Sequence, residues 1–412
     1  MNFAIDSNYY SKGYRVQLFP TETQKQFIIR CIELSRYLYN WAIDMEKEQL
    51  RLYNEGETEK SFLSVYDLGY KFTKLRQEND FLKEVPRASI ENSLNRVEYA
   101  FKMYMKKQCN YPRYKSKKNK ETYSYQTRGD RMFFEDNLLR IEGLPRNEFI
   151  KTRFHSGWNK YSDVKFYCPV IKIDKVGNYW ISFNIITEVN TTYFEDNNIQ
   201  KMDRIIGIDL NNKKRFVLST GQIYYGPDIS KELEKLNKLQ RKCSKDIRRN
   251  LERTNPDAEQ SNRSKKRRIK LNKQYKRIHN IEENFIQTTT KKIINMNPKA
   301  IVMESLSVKS MKKNHLIASA IQYSSFFRCR EVMKYKCRNF NIDFIEADRT
   351  FKSSQICSNC GNEQDIGRSK KYICPVCGLR IDRDINAAIN LEKFGYNKLN
   401  IPDFTNKNLI IS

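Results

Sequence analysis

Four cysteines, Cys357, Cys360, Cys374 and Cys377, restrict what this chain can fold into more than any other feature. They stand in the form C-x2-C-x13-C-x2-C, with a glycine after the second cysteine of each pair ("CSNCG", "CPVCG"). That spacing makes a knuckle, a tight turn that points two thiolates at one ion, and it outweighs the alternatives of chance or a redox pair. The ion expected is Zn2+. Four thiolates leave it no open position, so the metal is structural and the ribbon is not itself a catalyst. The other six cysteines, Cys31, Cys109, Cys168, Cys243, Cys329 and Cys337, follow no pattern and read as small core or surface thiols of a reducing compartment.

The second knuckle runs into "LRIDRDINAAIN" (379–390), two carboxylates and then a helical run. Either this is a surface module followed by an ordinary helix cap, or knuckle and carboxylates belong to one site. Composition bears on the choice. Lys+Arg number 76 against 48 Asp+Glu, a formal +28, which favours polyanionic partners. At 412 residues the chain is long enough for two or three domains with their own cores. No stretch approaches the roughly 20 apolar residues of a membrane span. The start, "MNFAIDSNYYSKGYRV", lacks a signal peptide's basic and apolar segments, so an intracellular, cytoplasmic protein without membrane contact is expected. The three histidines, His155, His279 and His315, are far apart, so hydrolysis here would rest on carboxylates and metal.

Along the chain, "GYRVQLFP" (13–20) reads as a strand, and Thr21 with Gln24 has the capping-box form before a helix to about Leu52. Residues 63–107 supply more helix, interrupted near Pro86. From "YPRYKSKKNKETYSYQ" (111–126) Tyr interleaves with Lys and Arg, followed by β-like runs such as "VKFYCPVIKI" and "NYWISFNIITEV". A small sheet or barrel with a basic aromatic face fits, which suits backbone contact and base stacking, although each tyrosine alone also reads as packing. "RIIGIDL" (204–210) is a buried-type strand ending in a carboxylate, and "RFVLSTGQIYY" a second strand with a Thr-Gly turn. Residues 231–280 are polar and helical with 18 Lys+Arg against 6 Asp+Glu, a candidate strand-tracking surface. "KAIVMESL" (299–306) is another buried-type strand with a terminal carboxylate, then come a helix over about 316–339 and the strand "IDFIEAD" (342–348).

Singly, Asp209 reads as a turn residue, Glu304 as a solvated strand end, and Asp384 (or Asp382) as a helix N-cap. Their order says more: strand–Asp–hairpin, strand–Glu, then Asp at a helix start. An RNase H-like sheet brings three such positions together. Converging carboxylates repel unless cations join them, and two Mg2+ about 4 Å apart would position water and stabilise the leaving oxygen of a phosphodiester.

"GIDL", "IVMESLSVKSM", "CSNCG…CPVCGLRIDRDINAAINL" and "LFPTETQKQFI…RYLYNWAI", with "YPRYKSKK" between them, resemble the TnpB family of insertion-sequence RNA-guided nucleases, relatives of type V CRISPR effectors. The likeness runs from about residue 14 to 395. It implies an α+β multidomain chain: a wedge-like β-barrel (1–20 and 110–200) with a helical recognition insert (21–109), then an RNase H-like, RuvC-type α/β nuclease domain (203–351 and 381–412). That domain would carry a basic helical insert (231–296) and an inserted zinc-ribbon target-loading module (352–380). The family's catalytic positions fall on Asp209, Glu304 and Asp384, which would hold Mg2+, most simply as a pair. A guide RNA and double-stranded DNA are the implied partners, for a monomer in preference to a homodimer, nucleoid-associated when on DNA. Asn211 stands where the family usually has Gly; Asn tolerates positive φ, so the turn is expected to persist. An accessory phosphate contact of the ribbon would fall to Arg368, Lys370 or Lys371. A miniature CRISPR effector shares every motif, whereas a non-cleaving RNA-guided regulator or an accessory transposition protein would not need three carboxylates.

Overall fold

The computed structural model describes residues 9–84, 86–116, 124–126, 132–153, 165–188, 193–251, 261–305, 325–348, 350–367 and 369–401. The chain divides into two compact units, residues 1–187 and 188–412. Among the described residues no helix is long and apolar enough to cross a membrane.

In the first unit, β1 (Tyr9–Phe19) leads into α1 (Glu22–Asn54). Thr21 caps α1 as its sequence predicts: its hydroxyl accepts from the Gln24 amide, and the Gln24 side chain accepts from Thr21 N at 3.1 Å. Such a cap is worth about 1 kcal/mol. Helices α2 (Val65–Glu78) and α3 (Arg87–Met105) follow, with Pro86 at the N-cap of α3, where its missing N–H costs nothing. Six strands come next: β2 (Ser124–Gln126), β3 (Phe133–Glu135), β4 (Leu138–Arg140), β5 (Ile150–Arg153), β6 (Tyr167–Ile173) and β7 (Tyr179–Glu188). With β1 they form a seven-stranded sheet in the order β2-β6-β7-β1-β5-β4-β3. The first half of α1 buries Ile28, Cys31 and Ile32 against Leu18, Ile150, Ile181 and Phe183 of that sheet. Its second half buries Leu38, Ala42 and Ile43 against Leu68, Phe72, Leu94 and Val97 of α2 and α3.

Two charged side chains stand out in this unit. Within the basic motif, Lys115 is not a free cation: its ammonium lies 3.6 Å from the Tyr39 ring centroid, and Asn40 holds its backbone on both sides, at 2.8 and 2.9 Å. Burial, then the charge of Arg96, pulls its pKa down to about 7. Tyr111 packs edge-on against Phe101 and Tyr104. The described part of the motif therefore docks onto helices, while Lys117 and Lys118 lie outside the described residues.

The second is Glu46, fully buried on α1. One oxygen accepts from Leu63 N at 2.9 Å and the other has no partner. Burial above all pushes its pKa up to about 7. A carboxyl raised in the folded state favours folding most below its unfolded pKa, and this contribution is lost as pH rises to about 7. Glu46→Gln should therefore flatten that part of the stability profile and stabilise the chain at pH 8 by roughly 2–3 kcal/mol. Denaturation of both chains at pH 4.5 and 8 checks this; parallel profiles would contradict it.

The second unit begins with a short helix, α4 (Tyr193–Asp196), whose Phe194 packs into this unit's core. Strands β8 (Met202–Asp209), β9 (Phe216–Leu218), β10 (Ile223–Tyr224), β11 (Pro298–Glu304) and β12 (Asp343–Ala347) form one sheet in the order β10-β9-β8-β11-β12. Strands β8, β11 and β12 are parallel, β9 runs back antiparallel to β8, and β10 pairs antiparallel with β9. Between them lie α5 (Ser230–Leu251), α6 (Asn262–Ile294) and α7 (Phe326–Asn339); the expected helical residues 316–324 fall outside the described set. After β12 come the cysteine ribbon, with its hairpin β13 (Lys371–Ile373) and β14 (Arg380–Asp382), and α8 (Arg383–Lys398).

Side-chain alternation sorts this sheet into two faces. Ile206, Ile208, Ile301 and Met303 meet Ile286 and Ile293 of α6 and Val332 and Met333 of α7. Ile205, Ala300 and Val302 meet Leu391 and Tyr396 of α8. Helices thus cover both faces, which is why the strands read as continuous apolar runs.

Candidate active site and metal centre

The same parity positions the carboxylates. Counting by twos from Ile205 and Gly207 brings Asp209 to the α8 face of β8, and from Ala300 and Val302 brings Glu304 to the same face of β11. The strands are in register there, Ile208 opposite Met303 one residue earlier. Helix α8 starts over that edge with Asp384 in its first turn. The three residues come from strands and a helix 175 residues apart in sequence, Asp209 to Asp384, and meet electrostatically.

What holds α8 down on the sheet is close backbone contact. A Cβ on Gly207 would lie 2.0 Å from the Ala388 carbonyl oxygen and 2.5 Å from the Glu392 nitrogen. Arg204 of β8 grips the fully buried Glu392 through two hydrogen bonds, 2.7 and 2.8 Å. The amide of Ile205 donates to the Tyr396 hydroxyl at 3.2 Å.

The site's electrostatics follow. Burial pushes the Asp209 pKa up to about 7, and the charges of Asp384 and Glu304 push the same way against Arg383 and the Leu210 amide. Burial also raises Glu304. Asp384 is buried, accepts from the Asn211 amide at 3.0 Å, and lies 3.6 Å from both the Lys214 ammonium and Arg383 Nε. Asp382 has a different role. It is the N-cap of α8, accepting from Asp384 N at 3.0 Å, and it holds Lys214 at 2.6 Å. Burial pushes Asp382 up, but the Lys214 and backbone hydrogen bonds outweigh it and hold the pKa below its ordinary value.

Asn211 does not take positive φ, contrary to the turn expected from sequence. Its side chain instead fixes an Asp384 oxygen, a task a glycine there would leave undone. Lys214 went unnoticed in the sequence because lysines are common here; only its address, between the strand carrying Asp209 and β9, sets it apart.

In the ribbon the two knuckles match atom for atom. Gly361 and Gly378 take φ of +78° and +73°, and each donates to the first cysteine of its pair at 3.0 Å. The amides of Cys357 and Cys374 donate to the Asn362 and Leu379 carbonyls at 2.8 and 2.9 Å. All four sulfurs lie within 4.8 Å of one another, with Cys357–Cys377 at 3.6 Å and Cys360–Cys374 at 3.5 Å. An ion about 2.3 Å from each sulfur fits that cage. Among the described residues this is the one cluster tight enough to close round a single ion.

Two family models match parts of the chain: the Cas12f1-like, TNB domain over residues 326–391, and a helix-turn-helix domain of the OrfB/IS605 type over 10–55. The latter segment folds here as β1 and the single 33-residue helix α1. A protein of Streptomyces pristinaespiralis, provisionally named as an RNA-guided DNA endonuclease, is 24% identical over 388 residues, spanning 92% of this chain and 88% of its own. The similarly named InsQ of Escherichia coli K12 is 22% identical over 409 residues, 93% and 92% of the two chains. The TnpB-like protein L79 of Acanthamoeba polyphaga mimivirus is 31% identical over 141 residues, 33% of this chain and 27% of its own. Over nine-tenths of its length the chain is thus similar to proteins provisionally named as RNA-guided DNA endonucleases, and over a third of it to TnpB-like proteins. A solved Cas12f1–sgRNA–target DNA complex shares this fold, with a TM-score of 0.59 at 13% identity over 91% of this chain and 83% of that one.

Proposed function

We propose that this chain is an RNA-guided DNA endonuclease of an insertion sequence, cutting DNA next to a short flanking motif by metal-dependent phosphodiester hydrolysis at Asp209, Glu304 and Asp384. The observation that carries this is the convergence of three carboxylates from β8, β11 and α8 on one sheet face, with Asp209 held near neutrality. The sheet order, with β9 reversed, supports an RNase H-like, RuvC-type domain over 203–351 and 381–412. Residues 1–20 and 110–200 would be the wedge-like barrel, 21–109 the recognition domain and 352–380 the target-loading ribbon. The protein would work as a monomer in the cytoplasm and at the nucleoid.

Asp209, Glu304 and Asp384 offer only hard oxygens, which suit Mg2+. When bound, Mg2+ supplies charge stabilisation at the phosphodiester and a nucleophile at neutral pH. The protein's own groups do the rest. Asn211 and the ion pair of Asp382 with Lys214 aim Asp384, and Asp209 gives up its proton as a cation arrives, so cation affinity should rise with pH up to about 7. The four thiolates would hold Zn2+. Sequence choice would come from base pairing with a guide RNA. Sequencing RNA that co-purifies with the protein tests this: one dominant, structured species is expected, and no enriched RNA would overturn the guided reading.

The basic hairpin of α5 and α6 supplies a backbone-tracking surface. Lys266, Lys270 and Lys273 are exposed at alternating spacings of four and three on α6, hence on one side. Changing all three to Gln should reduce the slope of log affinity against log salt for duplex DNA by about 2–3. Arg267 is a poor choice for that test, although the sequence puts it in the densest run. It pairs across the hairpin with Asp246 at 2.6 Å, so Arg267→Gln should loosen the hairpin and leave the slope unchanged. An unchanged slope in the triple variant would move the contact elsewhere.

A further inference from the structure

Helix α8 has two working sides besides the end that carries Asp384. Its sheet side holds Ala388, Leu391, Glu392 and Tyr396. Its other side presents Asn386, Asn390 and Lys393 at spacings of four and three, and all three bind the backbone of the first knuckle. Asn386 accepts from Ser358 N at 2.9 Å and donates to the Ile356 carbonyl at 2.7 Å. Asn390 donates to the Ser353 and Ile356 carbonyls at 2.8 and 2.6 Å, and Lys393 to the Ser358 carbonyl at 2.6 Å. Asn386 is 0% exposed and Asn390 3%, so neither amide finds water if the knuckle moves. Ile356 and Ser358 flank Cys357 itself.

A second link joins the same parts. Asp382 ends β14 and caps α8, and the Arg383 amide donates to the Lys370 carbonyl across the ribbon hairpin at 3.0 Å. The position of the knuckle therefore sets the position of α8, and α8 sets Asp384, two residues before Asn386. Each buried amide left unpaired costs about 1–3 kcal/mol, enough to make the arrangement all-or-none.

We propose that the four-cysteine site and the carboxylate site bind their metals cooperatively, coupled through the Asn386–Asn390–Lys393 side of α8. This rests on the nuclease reading above for the identity of the carboxylate site. Asn386 and Asn390 are positioning residues: they hold the helix that presents Asp384 and touch no reacting atom. Coupling of this kind is reciprocal, so each metal strengthens the other by the same factor.

The test uses the full chain, zinc-loaded or stripped with a chelator, and Mn2+ as the probe of the carboxylates, because thiolates disfavour it. Free Mn2+ is read by electron paramagnetic resonance, with Asp384→Asn giving the background. The expected result is Mn2+ affinity on the order of tenfold weaker in the stripped chain, restored by one equivalent of Zn2+. The Asn386→Ala/Asn390→Ala variant should bind Mn2+ weakly whether loaded or stripped. Lys393→Ala, which removes one hydrogen bond of the five, should retain part of the coupling and serves if the double variant does not fold. Equal Mn2+ affinity in loaded and stripped wild-type chain overturns the coupling and leaves the carboxylate site standing. No binding above background in either state overturns the carboxylate assignment, and the coupling with it.

Discussion

Alanine at Asp209, Glu304 or Asp384 is expected to abolish Mg2+-dependent cutting of a guide-matched plasmid while guide RNA and target DNA remain bound. Each carboxylate belongs to one cluster: Asp209 carries a pKa raised by burial first and then by the charges of Asp384 and Glu304. Removing any one leaves too few oxygens to hold and balance the cations. Asp382→Ala is the internal control. It should cost the cap of α8, about 1 kcal/mol, and release Lys214, so cleavage is slowed but not abolished. Cleavage retained in Asp384→Ala but lost in Asp382→Ala would mean the wrong carboxylate had been chosen.

Gly207→Ala should be the most damaging change that alters no charge. The new methyl would collide with two backbone atoms of α8, which no rotamer change relieves. Overpacking typically costs 1–3 kcal/mol, and here the helix must also lift away from Arg204, leaving the buried Glu392 carboxylate poorly paired. A fall in melting temperature of about 10 °C is expected, with loss of cleavage because Asp384 moves with the helix. Gly395→Ala meets only side-chain methyls, of Val302 at 2.6 Å and Ile205 at 3.0 Å, and should cost less. Equal melting temperatures for wild type and Gly207→Ala would show that α8 does not rest on β8 as closely as described.

What the sequence made legible were features that act locally. The Thr21–Gln24 cap, the two cysteine knuckles with their glycines, and the strands ending at Asp209 and Glu304 are each written within a few residues. The face those strands present was harder to read, because helices bury both sides and erase the alternation of polar and apolar residues. Contacts between distant segments left no local trace. Arg204 with Glu392 is a pairing across 188 positions, and Lys214 reaches Asp382 across 168. Charge runs misled for the same reason: Arg267 and Lys115 look like solvated cations in sequence, yet one is consumed by Asp246 and the other lies on Tyr39. The side of α8 that grips the ribbon was in view as "DINAAINLEK", but nothing in the letters says that its asparagines face a cysteine knuckle.

The most direct test of the central claim is a cleavage assay with the purified protein–RNA complex. Two plasmids that differ only in the guide-matched stretch are incubated with Mg2+, and a parallel set with chelator, and DNA binding is measured alongside. The matched plasmid alone should be cut, and only with Mg2+. Binding of the matched plasmid without any Mg2+-dependent product, or cutting that ignores the guide, would contradict the account.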